Sequence, residues 1–266
     1  MNFKEIMLTN EVTEDTEIPL CPHCHTPQAV KMVMMGKLRL LPVMCECRKK
    51  EVEKLEKAAK DAEFQEIVRS LRKNSLMDER FKDSNFKNVI VTEGNKNALK
   101  IARRYCTEAE RMLSENQGLM FTGGVGTGKT LIAACMANEL INNGYYAIMT
   151  SIVKMLDNGY RNEDEAYINK LNKADFLFID DFGAERKTDY AYERIYNLID
   201  SRYRVKKPLI ITTNLSVPQM TQRIDMQTDR IYDRVLEMCY PVEITGTSWR
   251  LISAKQRYER SLKEVK

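Results

Sequence analysis

The residues Gly-Gly-Val-Gly-Thr-Gly-Lys-Thr at positions 123–130 have the types and spacing to hold a nucleoside triphosphate. Gly123, Gly124, Gly126 and Gly128 let consecutive backbone N–H groups turn inward around phosphate oxygens. That turn needs positive φ angles and no side chain in the way. Val125 and Thr127 fill the positions between them, where the residue type is free. Lys129 is spaced to reach the β- and γ-phosphates. Thr130 opens a helix, so its hydroxyl can ligate Mg2+ while the helix N-terminus adds its partial positive charge. The pattern G-x-x-x-x-G-K-[ST] is met at every fixed position, and a nucleoside triphosphate is the expected ligand.

A triphosphate needs a metal and a means of activating water. Asp175-Phe-Leu-Phe-Ile-Asp180-Asp181 reads as an apolar strand ending in two carboxylates. Asp180 is placed to help hold Mg2+, and Asp181 to orient or polarise the attacking water. A further apolar strand, Pro208 to Thr213, ends at Asn214, whose amide can hydrogen-bond the water or the γ-phosphate from a strand tip beside the loop. Arg230-Ile-Tyr-Asp-Arg234-Val-Leu-Glu reads as helix, and Gly246-Thr-Ser-Trp-Arg250 follows. These arginines suit phosphate contact, because guanidinium stays charged and forks onto oxygens. A surface ion pair is the ordinary alternative for each.

A second chemistry lies near the start. Four of the seven cysteines fall at Cys21, Cys24, Cys45 and Cys47, two close pairs separated by a spacer of the length that suits a tetrahedral Zn2+ site. Gln28–Met35 and Lys37–Met44 are apolar-rich runs about Gly36, so a hairpin can bring the pairs together as in a zinc ribbon. Cys21-Pro-His-Cys24 also has the letters of a thiol oxidant, but such a motif should follow a strand and open a helix inside a full βαβ fold, and only 20 residues precede it. His23 or His25 could replace a cysteine ligand; four thiolates are the favoured set. A fully ligated ion serves structure and not catalysis.

Elements must hold these residues in place. Gly118–Thr122 reads as a strand entering the phosphate loop, Lys129–Leu140 as a helix with Ile132, Ala133, Met136 and Leu140 at helical spacing, and Tyr145–Met149 as the next strand after the Asn143-Gly144 stop. The expected core is a parallel sheet flanked by helices, an α/β P-loop NTPase domain over residues 85–266. Residues 1–50 form the zinc-binding module. Residues 51–84 form a helical segment, amphipathic through Val52, Leu55, Ala59, Ala62, Phe64, Ile67, Val68 and Leu71, and then a linker from Asn74 to Asn85.

Composition excludes other classes. Charged residues make up 30% of the chain, mean hydropathy is −0.46, and no apolar run has the roughly 18 to 20 residues that span a bilayer. Residues 1–20 are acidic and lack the apolar centre of a signal peptide, so a cytoplasmic protein with reduced thiols is expected. A net charge of +4, from 42 basic and 38 acidic residues, does not by itself announce nucleic-acid binding. Local basic clusters at Arg202, Arg204, Lys206 and Lys207, and at Arg250, Lys255, Arg257, Arg260, Lys263 and Lys266, read as solvated helix faces or as DNA contacts.

Taken together, Gly123–Thr130, Phe176–Glu185, Ile211–Leu215, Arg230–Glu237 and Gly246–Arg250 resemble the DnaC/DnaI-type helicase loaders of the AAA+ class, with the IstB transposition ATPases as close relatives. The resemblance covers roughly residues 85–257. It implies that Asn214 is the sensor-1 residue, Arg234 an arginine finger acting on a neighbouring subunit, with Arg230 the second choice, and Arg250 the sensor-2 residue. It further implies an ATPase that self-assembles through its ATP site and loads a hexameric replicative helicase onto single-stranded DNA. The cysteine-bearing front resembles that of loaders from Gram-positive bacteria and their phages, where it engages the helicase. Asp181 stands where many AAA+ proteins have Glu, which argues against a high hydrolysis rate. An IstB-like transposition helper and an ATP-liganded DNA adaptor with little hydrolysis are the rival readings. A P-loop kinase offers no role for Asn214 or the late arginines.

Overall fold

A computed structural model describes residues 12–159, 164–184, 188–223, 225–252, 254, 255 and 258. Glu185 and the tail cations Arg257, Arg260, Lys263 and Lys266 lie outside the described residues. The chain divides into two compact units, residues 1–66 and 67–266.

In the first unit, β1 (Ala29–Met34) pairs antiparallel with β2 (Lys37–Pro42), in register from Ala29 against Pro42 to Met34 against Lys37. Met35 and Gly36 close the hairpin, both at positive φ. The expected runs were longer at their outer ends. There Gln28 and Val43 join through a single backbone bond, Val43 N–H to the Gln28 carbonyl at 2.9 Å, where the chain turns toward the cysteines. Helix α1 (Glu46–Asn74) then runs from this unit into the second. Its predicted apolar stripe is a correction: Leu55, Phe64 and Ile67 are exposed, and Val68 is the buried residue of the helix. The apolar positions drift around a Lys/Glu-rich helix instead of forming one face, so most of its length has nothing to bury.

The second unit holds a five-stranded parallel sheet in the order β4-β5-β6-β3-β7, formed by β3 (Gly118–Thr122), β4 (Ala147–Ser151), β5 (Phe176–Phe182), β6 (Leu209–Thr213) and β7 (Cys239–Glu243). Successive side chains alternate between faces. Leu119, Phe121, Phe176, Phe178 and Ile210 pack on one side with α2 (Glu93–Thr107), α3 (Ala109–Ser114) and α4 (Lys129–Asn142). Met120, Leu177, Ile179, Leu209 and Ile211 pack on the other with α5 (Ile152–Gly159), α6 (Asp164–Lys173), α7 (Asp189–Arg204), α8 (Val217–Thr221) and α9 (Met226–Met238). Both faces of every central strand are covered, which is why those strands read as continuous apolar runs. The strand expected at Tyr145–Met149 begins two residues later, since Tyr145 and Tyr146 still belong to the turn out of α4.

The stretch from Asn74 to Asn85, expected as a linker, is instead part of this unit. Met77 and Phe86 are buried in the core, Phe81 packs against it, and Glu79–Phe81 forms one 3₁₀ turn. Asn138 of α4 fastens that turn by donating its amide to the Phe81 and Ser84 carbonyls, each at 2.9 Å. The Met149 N–H of β4 donates to the Ser75 carbonyl at 2.8 Å. At the opposite end of the sheet from the phosphate loop, Arg202 of α7 is fully buried. Its guanidinium donates to the carbonyls of Asn172, Ala174, Asp175 and Pro208, which lead into β5 and β6. Among the described residues no helix is long and apolar enough to cross a membrane.

Candidate functional site

The phosphate loop leaves the C-terminal end of β3, which is flanked by β6 and β7, and enters α4 at Lys129. Gly128 sits at φ +101° in open space, so conformation alone calls for glycine there. At Gly126, φ +80°, a Cβ would also collide with the Ser248 hydroxyl. That closeness comes from the segment after β7. The Trp249 N–H donates to the Gly126 carbonyl at 3.0 Å, and the helical turn begun by Trp249 brings Arg250 to the loop.

Lys129 is 5% exposed, and its ammonium donates to the Gly123 carbonyl (2.9 Å), the Gly124 carbonyl (2.8 Å) and the Asn214 side-chain oxygen (2.7 Å). Burial lowers its pKa, against the nearby Asp181 and Asp180 carboxylates, which raise it. Asn214 reaches this position because β6 lies between β5 and β3, so its tip faces both the acids and the loop.

Asp180 and Asp181 owe their different environments to an irregularity. Ile179 pairs with Ile211 and Phe182 with Thr213, so β5 carries one more residue than β6 over this stretch. Such a bulge re-aims side chains. Asp181 adopts φ +53°, a left-handed conformation that Asp tolerates better than most residues, and is exposed, while Asp180 stays buried. Thr212 ties the two: its hydroxyl accepts the Asp181 N–H at 3.0 Å and donates to the Asp180 carboxylate at 2.6 Å. Burial raises the Asp180 pKa, opposed by hydrogen bonds from Thr212 and Thr130. A buried carboxylate linked to the Thr130 hydroxyl is the donor set a hard divalent cation such as Mg2+ takes.

A cleft of about 400 Å³ gathers these groups, lined by Val125, Gly126, Gly128, Lys129, Thr130, Asp181, Asn214 and Arg250, together with Arg80, Phe81 and Trp249. Its size is that of a small-molecule site. Arg80, Phe81 and Thr212 were missed from sequence. An arginine and an aromatic in a polar connector gave little signal, although Phe81 and Phe86 in so polar a stretch hinted that it packs. Arg234 lies elsewhere: on α9 it pairs with Asp200 of α7 at 2.5 Å, with its guanidinium 4.8 Å from the Tyr196 ring centre. Arg230, exposed on the same helix, lines a separate cleft of about 330 Å³ with Asp189, Tyr192, Glu193 and Tyr196. The lining of that second cleft includes no residue of the phosphate loop, so the first is the candidate nucleotide site.

In the first unit, Cys21, Cys24, Cys45 and Cys47 converge with all four sulfurs within 4.8 Å of one another. Cys21 and Cys47 are 3.5 Å apart and Cys45 and Cys47 3.2 Å. Four sulfurs about 2.3 Å from one ion would stand roughly 3.8 Å apart, so the cluster fits tetrahedral Zn2+. A hydrogen bond with the Thr26 hydroxyl brings the Cys24 thiol down to about 5, and contact with Cys45 pushes Cys47 up to about 12. His23 and His25 are exposed and stand outside the cluster.

Comparison with known proteins fits this geometry. The family model of the IstB-like ATP binding protein matches residues 98–257. The chain belongs to that family. This IstB-like chain is 29% identical over 152 residues to the replicative helicase loader DnaC of Escherichia coli (strain K12), a match covering 55% of this chain and 60% of that one. It is 29% identical over 175 residues to the phage-like element PBSX protein XkdC of Bacillus subtilis (strain 168), covering 60% of this chain and 64% of the relative. The chain thus spans under two thirds of the length of these curated relatives. The crystal structure of the DnaC helicase loader superposes with a TM-score of 0.55 and 23% identity, over 63% of this chain and 100% of that chain. The IstB-like core therefore has the AAA+ fold of that loader.

Proposed function

We propose that this protein is an ATPase that loads a hexameric replicative helicase onto single-stranded DNA. The observation that carries the reading is the meeting of the phosphate loop, Asp181, Asn214 and Arg250 at one cleft, with Asp180 buried next to Asp181 in the chain, in a chain homologous to a replicative helicase loader. The loop's N–H groups and Lys129 bind and orient the phosphates. Thr130 and Asp180 would hold Mg2+, which would supply charge neutralisation at the phosphates. Asp181, exposed to the cleft, orients the attacking water; Asn214 and Arg250 hold phosphate oxygens. The trans-acting arginine is Arg234 of a neighbouring subunit, which must exchange its own Asp200 for that neighbour's phosphate. Hydrolysis and self-assembly are then coupled. The four cysteines hold a structural Zn2+ in a front module that binds the helicase, while the core tracks DNA phosphates without base specificity.

The test is Lys129→Ala in the full chain, mixed with its host's helicase and single-stranded DNA. ATP turnover should fall about a hundredfold or more, the scale for losing a key phosphate contact, and helicase loading should be lost with it. Loading and turnover that survive would sink the reading. One observation favours a second reading, an ATP-liganded DNA adaptor: Asp181 is short and held at φ +53°. Turnover that stays negligible with and without single-stranded DNA, while loading persists, would select it.

A further inference from the structure

The connector before the ATPase core places an unassigned cation in the nucleotide cleft. Arg80 lines that cleft together with Thr130 and Asp181, from a turn that lies well before the phosphate loop in the chain. The turn is rigidly mounted: Asn138 of α4 holds the Phe81 and Ser84 carbonyls, and Phe81 packs on the core. The Arg80 guanidinium lies 4.6 Å from the Phe81 ring centre. Its carboxylate partner, Asp78, is 3.9 Å away, beyond hydrogen-bond distance, and the Arg80 side chain is 66% exposed. Its forked donors are therefore available.

What they meet follows from the shared lining. Arg80 lines one cleft with Thr130 and Asp181, the residues placed for the metal and the attacking water, and the terminal phosphate of ATP is the group that belongs with those two. Guanidinium is well suited to forked contact with phosphate oxygens.

We infer that Arg80 is a contact, within the same chain, to the terminal phosphate of bound ATP, and that it makes the site discriminate ATP from ADP. The inference rests on the ATP-binding reading of the cleft. It also gives the connector a role beyond spacing, because Arg80 follows closely on the end of α1.

Calorimetric titration of the full chain with Mg-AMPPCP and with Mg-ADP tests this. Arg80→Ala should weaken the triphosphate analogue by about tenfold, the scale of one hydrogen bond to a charged group, and change ADP affinity less than about twofold. Arg80→Lys should keep part of the preference, since it keeps the charge without the fork. A purely structural role would weaken both nucleotides alike, and an irrelevant residue neither; either result overturns the proposal. Lys129→Ala, titrated in parallel, must lose both ligands; if it binds them unchanged, the cleft is not the nucleotide site and the failure extends beyond Arg80.

Discussion

Asp180 shows how one buried acid can oppose the stability of the fold it serves. Its folded pKa is raised by burial above the roughly 3.9 of an unfolded aspartate, so the protonated form favours folding. That contribution is full below the unfolded value and is lost as pH rises through the raised folded value. Asp180→Asn carries no such penalty. Its stability relative to the parent, followed by thermal melts, should therefore increase from about pH 4 towards neutrality, while stabilisation by Mg-ATP disappears. A flat difference across that range would show that Thr212 and Thr130 cancel the burial cost. At this scale the sequence pointed to residues that line one cleft, Lys129, Thr130, Asp181, Asn214 and Arg250 among them, because a phosphate loop and an acid pair demand those residue types. What the sequence hid was the bulge that separates Asp180 from Asp181, since an extra residue in a ladder shows only against the partner strand.

Among the elements, α7 carries a constraint that composition disguised. Arg202 lies in a basic cluster with Arg204, Lys206 and Lys207, which read as a solvated face or a DNA contact, yet it is fully buried. Burial lowers its pKa to about 9, and its bonds to four backbone carbonyls compensate. Those carbonyls belong to chain entering β5 and β6, so Arg202 does what a strand's own neighbours cannot do at a sheet end. Arg202→Met should destabilise the protein by about 3 kcal/mol or more, read from urea unfolding, because it strands several buried acceptors at once. A loss under about 1 kcal/mol would mean that water replaces the guanidinium. β3, β5, β6 and α4 were legible from their apolar patterns and β4 to within two residues, whereas β7 and most of the surrounding helices were not read. The connector at Asn74–Asn85 was not, because its two anchors, Asn138 and Met149, lie far along the chain.

For the molecule as a whole, the two units can be perturbed separately. Cys45→Ser should remove about one bound Zn2+ per chain, measured by metal analysis of the reduced protein, and leave ATP affinity within about twofold. A coupled loss of nucleotide binding would contradict the division at residue 66. The order of the sheet has a consequence for the timing of synthesis. β3, which delivers the phosphate loop, is paired on one side with β6 and on the other with β7, so Leu119 waits for Ile210 and Tyr240, roughly 90 and 120 residues later. On the ribosome the loop emerges long before either neighbour. Arg250, beyond β7, comes later still. Under the proposed function, a nascent chain displaying the whole phosphate-loop motif would still lack both strands that flank β3 and the Trp249 and Arg250 side of the cleft.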